Sequence, residues 1–291
     1  MSQRREPLQA KMGRSVDTQT LTHRLESNEL AAYRSIYQAP SADVARQLGL
    51  GWLDYDGVLL VWNRAAPTFL FNRVLALGLF KPATDELIDG ILARCQQERA
   101  RCDFQLTPGA QPDDLASRLA ARGLRPTTPW VAHYRSMGDG PPSAVALPGY
   151  RIERVTPATT AAWADALLAG WGIPAWAAAG GLAVTLPIAA SSDWICYAVV
   201  HEATGTVVGG GQLFFADGIA RLYGDGVRPE HQRRGIQAAM IAERLAEAQR
   251  RGCDLACSLT LPNHSAQRNM QRAGFKVAYI RPNYSMPKKM S

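Results

Sequence analysis

The chain has 291 residues, 47% of them apolar and 20% charged, with a net charge of +7. That is a globular composition long enough for two cores. No apolar run reaches the roughly 18–20 residues that cross a bilayer, and the first thirty residues carry positive charge without an apolar stretch, so they do not read as a secretion signal.

Five cysteines (Cys95, Cys102, Cys196, Cys253, Cys257) form no CxxC pair. With Cys253 and Cys257 in or beside an expected buried strand, they read as reduced thiols of a cytoplasmic protein. The few, scattered histidines offer no metal-ligand spacing, so no metal is expected. Arginines are dispersed and lack interleaved aromatics, which describes a basic surface around a polyanionic ligand better than a nucleic-acid footprint.

In chain order, residues 1–26 read as a polar, poorly ordered arm. "SNELAAYRSIYQ" then reads as a short helix with Ser27 or Asn28 at its N-cap. From there the chain repeats itself at a constant offset of 151 residues. "LFNRVLALGL" (70–79) lies over "RLYGDGVRPE" (221–230), and "DELIDGILARCQQER" (85–99) over "IQAAMIAERLAEAQR" (236–250). "DFQL" (103–106) falls on "DLAC" (254–257). "SRLAARGLR" (117–125) falls on "RNMQRAGFK" (268–276), placing Gly123 on Gly274. Identity is low, but the order of elements holds without a gap, which implies two α/β units in tandem. The units span 27–137 and 150–291, joined by the Gly/Pro-rich "GDGPPSAVALPG" at 138–149.

In the second unit, "YRIERV" (150–155) alternates as a strand does. Thr156 and Pro157 open a helix, and a Trp- and Ala-rich stretch follows. "WICYAVV" (194–200), "GTVVGGGQLFF" (205–215) and "GIARLYGDGV" (218–227) read as an antiparallel meander. Gly209, Gly210 and Gly211 sit inside a strand pattern with no helix after them, so a bulge or close backbone packing is favoured over a nucleotide loop.

A helix beginning near Gly235 follows. Ala238, Ile241, Leu245 and Ala248 form its inner face, and Glu243, Arg244, Arg250 and Arg251 its outer face. Its first turn leaves N–H groups without partners at the positive end of the helix dipole. A glycine there holds no anion away, and Arg233 and Arg234 stand beside it: the pattern of a phosphate seat. The matching segment of the first unit, "FKPATD" (80–85), has neither the arginines nor the glycine, and Asp85 would repel an anion. The chain closes with strand 254–260, a helix at about 264–273 and strand 274–280.

"VRPEHQRRGIQAAMI" resembles motif A of the GNAT superfamily of acyl-CoA-dependent N-acetyltransferases, with Gln237 where a small residue is usual. "PNHSAQRNMQRAGF" resembles its motif B through Asn263, Gly274 and Phe275. The match covers about 150–286 well and 40–137 more faintly, as in tandem GNAT proteins with one degenerate half. The fold class implied is α/β with mixed sheets: two GNAT-like domains, each a mostly antiparallel twisted sheet flanked by helices.

The resemblance implies acetyl-CoA as co-substrate. Its diphosphate would lie on the amides of 233–238 (Arg233, Arg234, Gly235, Ile236, Gln237, Ala238), with Gln232 in the same loop. Its pantetheine would run along the strand ending at Val227 and near Asn263 and Asn269, and an amide of Val227 or Arg228 would polarise the thioester carbonyl. The position of a glutamate base in the histone-modifying branch falls on about Arg221, and that of a tyrosine acid on Met270. Asp225 is therefore the candidate proton acceptor, or a residue satisfying the turn. Tyr284 is the candidate acid, or a packing tyrosine.

Trp163, Trp171 and Trp176 read either as an apolar substrate wall or as helix core. Three functions remain: acetyl transfer to an amine of a small molecule or peptide, a non-catalytic acyl-CoA sensor, and an aminoacyl-tRNA-dependent transferase. The oligomeric state is open.

Overall fold

Residues 17–140, 145–263 and 265–287 are described by the structure, a computed structural model. Most of the expected arm (1–16), four linker residues (141–144) and His264 lie outside them.

Helix α1 runs Thr18–Gln38, beginning well before the expected cap at Ser27 or Asn28. Asp17 is its N-cap, accepting from the Thr20 amide at 3.1 Å. Glu26, placed at the end of the expected arm, and Asn28 and Glu29, placed at the start of the expected helix, are all buried against arginines from distant strands. Helix α2 (Ala42–Leu48) and strands β1 (Leu50–Asp54), β2 (Leu59–Asn63) and β3 (Arg73–Leu75) follow. Then come α3 (Asp85–Gln97), β4 (Asp103–Gln105), α4 (Leu115–Ala121) and β5 (Arg125–Ser136).

The second series is β6 (Tyr150–Arg154), α5 (Thr160–Gly170), α6 (Ala178–Thr185), β7 (Trp194–His201), β8 (Val207–Ala216) and β9 (Ile219–Val227). It ends with α7 (Ile236–Arg250), β10 (Leu255–Thr260), α8 (Ser265–Arg272) and β11 (Lys276–Ser285). At the offset of 151 residues, α3 begins on the first residue of α7 and β5 on the first residue of β11.

All eleven strands join one mixed sheet, in the order β1-β2-β3-β4-β11-β5-β10-β9-β8-β7-β6. The two series exchange their last strands. β5 pairs with β10, from Leu255 opposite Ser136 to Thr260 opposite Val131, and β11 inserts between β5 and β4. The meander β7–β8–β9 is antiparallel as the alternating pattern requires. Trp194, Cys196 and Ala198 of β7 face one side, in a core shared with α1, α5 and α6. Ile195, Tyr197 and Val199 face the other, in a core under α7 and α8. A third core lies between α3, α4 and strands β2–β4.

The three glycines of β8 do both things the sequence allowed. The β8–β9 register slips between Gly210 and Gln212, and a side chain at Gly210 would collide with the Trp163 ring of α5. All five cysteines are free, and among the described residues no helix is long and apolar enough to cross a membrane.

Candidate active site

β9 and β10 run parallel but pair only from Ile219–Leu255 to Arg221–Cys257. Beyond that point they splay. The register slip places two residues of β9, Gly224 and Asp225, opposite Gly211, with Gly224 at φ +58°. Such a bulge bends the strand and frees backbone groups from the ladder.

A cavity of ≈ 390 Å³ occupies the splay. Tyr223, Gly224 and Asp225 of β9 and Ser258–Thr260 of β10 form its middle. Gln237 of α7 and Met270 of α8 line one part, and Tyr33, Arg73 and Trp130 of the first series another.

Helix α7 starts at Ile236 after Gly235, which has φ +80° and provides no side-chain cap. A Cβ at Gly235 would meet nothing within 4 Å, so the approach to the helix mouth is open. Among the described residues, none of the amides of 233–238 donates a backbone hydrogen bond; the first that does is Ala239, to Gly235 O at 3.1 Å. Arg233 and Arg234 are exposed and enter no salt bridge among the described residues. Gln232 closes the loop by donating Nε2 to Val227 O at 3.1 Å. Ile236 is buried under the helix, whereas Ala238 is exposed. Open donors and unpaired cations fit a diphosphate.

Gln237, in the usual small-residue position, accepts from Asn269 Nδ2 at 2.5 Å and so ties α7 to α8 at the cavity. Asn263 is not brought there. It precedes α8 at φ +57°, exposed, with its amide on Gln267 Oε1 at 2.7 Å.

The Arg228 amide donates to Val208 O at 2.9 Å and is engaged in the ladder. Alternation along an antiparallel strand turns the Val227 amide to the opposite, splayed edge. The Arg228 side chain is held by Val207 O and the Asp165 carboxylate.

Asp225 lines the cavity with its side chain 16% exposed, and its Oδ1 lies 2.5 Å from Arg244 Nη1. Arg244 is not on the outer face of α7 but fully buried, donating to Gln212 O at 3.1 Å and Tyr223 O at 3.3 Å. The bulge leaves these carbonyls in reach of the guanidinium, which explains how an arginine can be inside.

Tyr284 packs in the core of α3, α4 and β4, opposite Phe104 and Pro126, and is not part of the cavity wall. Tyr223 is. Burial pushes its phenol well above the ordinary value, keeping it a neutral hydroxyl, and that hydroxyl has no hydrogen-bond partner among the described residues.

The tryptophans divide: Trp163 is core, Trp171 lines the cavity and donates to Asp225 O at 2.9 Å, and Trp176 is 68% exposed. Arg73, Tyr33 and Trp130 had no functional signal in the sequence, because only the strand exchange and α1 carry them to β9.

Residues 175–275 match the acetyltransferase (GNAT) family model. That segment is similar to a GNAT acetyltransferase domain. Solved structures of the same architecture extend the likeness beyond the GNAT segment. A GCN5-related N-acetyltransferase from Kribbella flavida is 17% identical, with 92% of this chain and 96% of that one covered at a TM-score of 0.64. Another, from Sphaerobacter thermophilus, is 18% identical over 78% and 79% of the two chains at 0.58. A tandem GNAT protein from the clavulanic acid biosynthesis pathway is 16% identical over 78% and 77% at 0.55. At these identities the fold is what is shared. A search of the curated proteins gave no match.

Proposed function

We propose that the protein is an N-acetyltransferase that moves an acetyl group from acetyl-CoA to an amine of a small molecule or peptide, by direct attack in a ternary complex. One observation carries this reading: β9 splays from β10 around a cavity, and Gln237, in the first turn of α7 with its open amides, lines that cavity. Amides 233–238 and Arg233 and Arg234 hold the diphosphate. Bound acetyl-CoA supplies an activated thioester.

The chain's own residues then do three things. Val227 presents its amide to the carbonyl oxygen that gains charge. The cavity holds the acceptor beside the splay, so attack becomes effectively intramolecular. The amine nitrogen bonds to the acyl carbon as the carbon–sulfur bond breaks and CoA leaves as its thiolate; the proton lost by nitrogen passes to the free side of the Asp225 carboxylate, directly or through water. Tyr223 replaces Tyr284 as the hydroxyl near the reacting groups.

Incubating the protein with acetyl-CoA and a panel of amines, and following free thiol, tests the reading. Release well above the amine-free rate with at least one acceptor is expected. Tight CoA binding with no thiol from any amine would leave the sensor reading instead.

A further inference from the structure

The cavity's far wall carries charge that acetyl transfer alone does not require. Glu26 and Glu29 of α1, Arg73 of β3, Arg221 of β9 and Arg281 of β11 are each at most 3% exposed and form one cluster. Arg281 forks onto both glutamates, with Nη1 2.7 Å from Glu29 Oε2 and 3.0 Å from Glu26 Oε1. Arg221 stands 3.7 Å from Glu29 and donates Nε to Asn28 Oδ1 at 2.8 Å. Arg73 stands 3.8 Å from Glu29. Burial alone would raise the Glu29 carboxyl, but the guanidiniums of Arg281, Arg221 and Arg73 outweigh it and hold the pKa at about 2. Three guanidiniums face two carboxylates in this cluster, and the next carboxylate near Arg73 is that of Asp103, its neighbour across β3 and β4.

Of the three arginines, Arg73 has the fewest hydrogen bonds. Its Nε donates to Phe69 O at 2.8 Å, but neither Nη donates a hydrogen bond to a described residue, and Arg73 lines the cavity. The guanidinium lies 4.7 Å from the Trp130 ring centroid and 5.3 Å from that of Tyr33. Cation–π contacts of this kind fix the guanidinium plane.

We propose that Arg73 receives a carboxylate of the acceptor, which is therefore an amino acid with an apolar side chain. This rests on the acetyltransferase reading of the site. Nη1 stands 3.8 Å from Glu29 and neither Nη is committed to a hydrogen bond, so the planar guanidinium can receive a carboxylate from the cavity side. The apolar body then lies against Phe69, Trp130, Tyr37, Ile36 and Val184, all on the cavity wall. Polycationic amines meet the Arg73 guanidinium there and are selected against. Most of the specificity pocket thus comes from the first series of elements, which lacks a phosphate seat of its own, with Val184 of α6 added from the second.

Calorimetric titration of the full chain with N-acetylleucine and N-acetylphenylalanine, each against its carboxamide, reads this recognition without turnover. The acids should bind about tenfold or more tighter than the carboxamides, as a charge-assisted pair requires. That preference should vanish in Arg73→Gln and return in part in Arg73→Lys. Equal binding of acid and carboxamide, no binding of either, or a preference that survives in a folded Arg73→Gln variant overturns the proposal; if that variant fails to fold, the wild-type ratio decides alone. A preference for the acids without thiol release from any free amino acid would overturn the transferase reading and leave the carboxylate site standing.

Discussion

Beside the bulge in β9, Arg244 ties together the carbonyls of Gln212 and Tyr223 and the carboxylate of Asp225. The guanidinium is fully buried, so its partners are its only solvation. Removing it strands a carboxylate and two carbonyls, and breaking a buried pair from one side costs about 3–5 kcal/mol. Arg244→Met should lose stability of that order in urea denaturation. Asp225→Asn retains the volume and a carbonyl for Arg244, and should lose roughly 1–3 kcal/mol. The double variant should be less destabilised than the sum, because the two side chains share one interaction. Additive losses would show that Asp225 and Arg244 act separately. The helical pattern alone placed Arg244 outside. Its spacing is compatible with either face, and nothing local to the helix records that a strand bulge waits beneath it.

At the scale of the element, the start of α7 is where local sequence and structure agree best, although Ala238, expected inside, is exposed and Arg244, expected outside, is buried. The N-cap glycine, the flanking arginines and the apolar spacing all act within a few residues, and the helix begins at Ile236 as that pattern requires. The meander was legible for the same reason, since alternation and turn residues suffice. The start of α1 was not. Glu26 read as part of a polar arm because its partner Arg281 lies 255 residues away in sequence. The mouth of α7 also yields a direct test. Replacing Arg233 and Arg234 by glutamate leaves the helix and its amides in place but puts two negative charges beside the diphosphate. Each charge-assisted contact contributes about 1.5–3 kcal/mol, equivalent to roughly tenfold or more in affinity. Calorimetry should therefore show CoA binding weakened by about a hundredfold or more in the double variant, with its melting temperature unchanged. Unaltered affinity would place the diphosphate elsewhere.

Across the whole molecule, the exchange of β5 and β11 makes one sheet of two repeated halves. The repeat itself explains why this was hidden. β5 and β11 occupy the same place in the repeat, so their local patterns suit either slot, and only the completed pairing chooses between them. The choice has a consequence for folding. Without β5, β10 loses its antiparallel neighbour from Leu255 to Thr260; without β11, β4 loses its partner at Phe104 and Gln105. Each half alone would carry a bare central edge and a displaced last strand, and such edges template aggregation. The chain divided within the linker, between residues 140 and 145, should therefore give two halves that are insoluble or lack a cooperative melting transition when expressed singly. Expressed together they should co-purify as one particle on size exclusion and recover a single transition. The cavity should return with them, because Arg73 and Trp130 face Tyr223 only across the exchanged strands. Two halves that each melt cooperatively on their own would mean that the exchange joins finished domains rather than completing them.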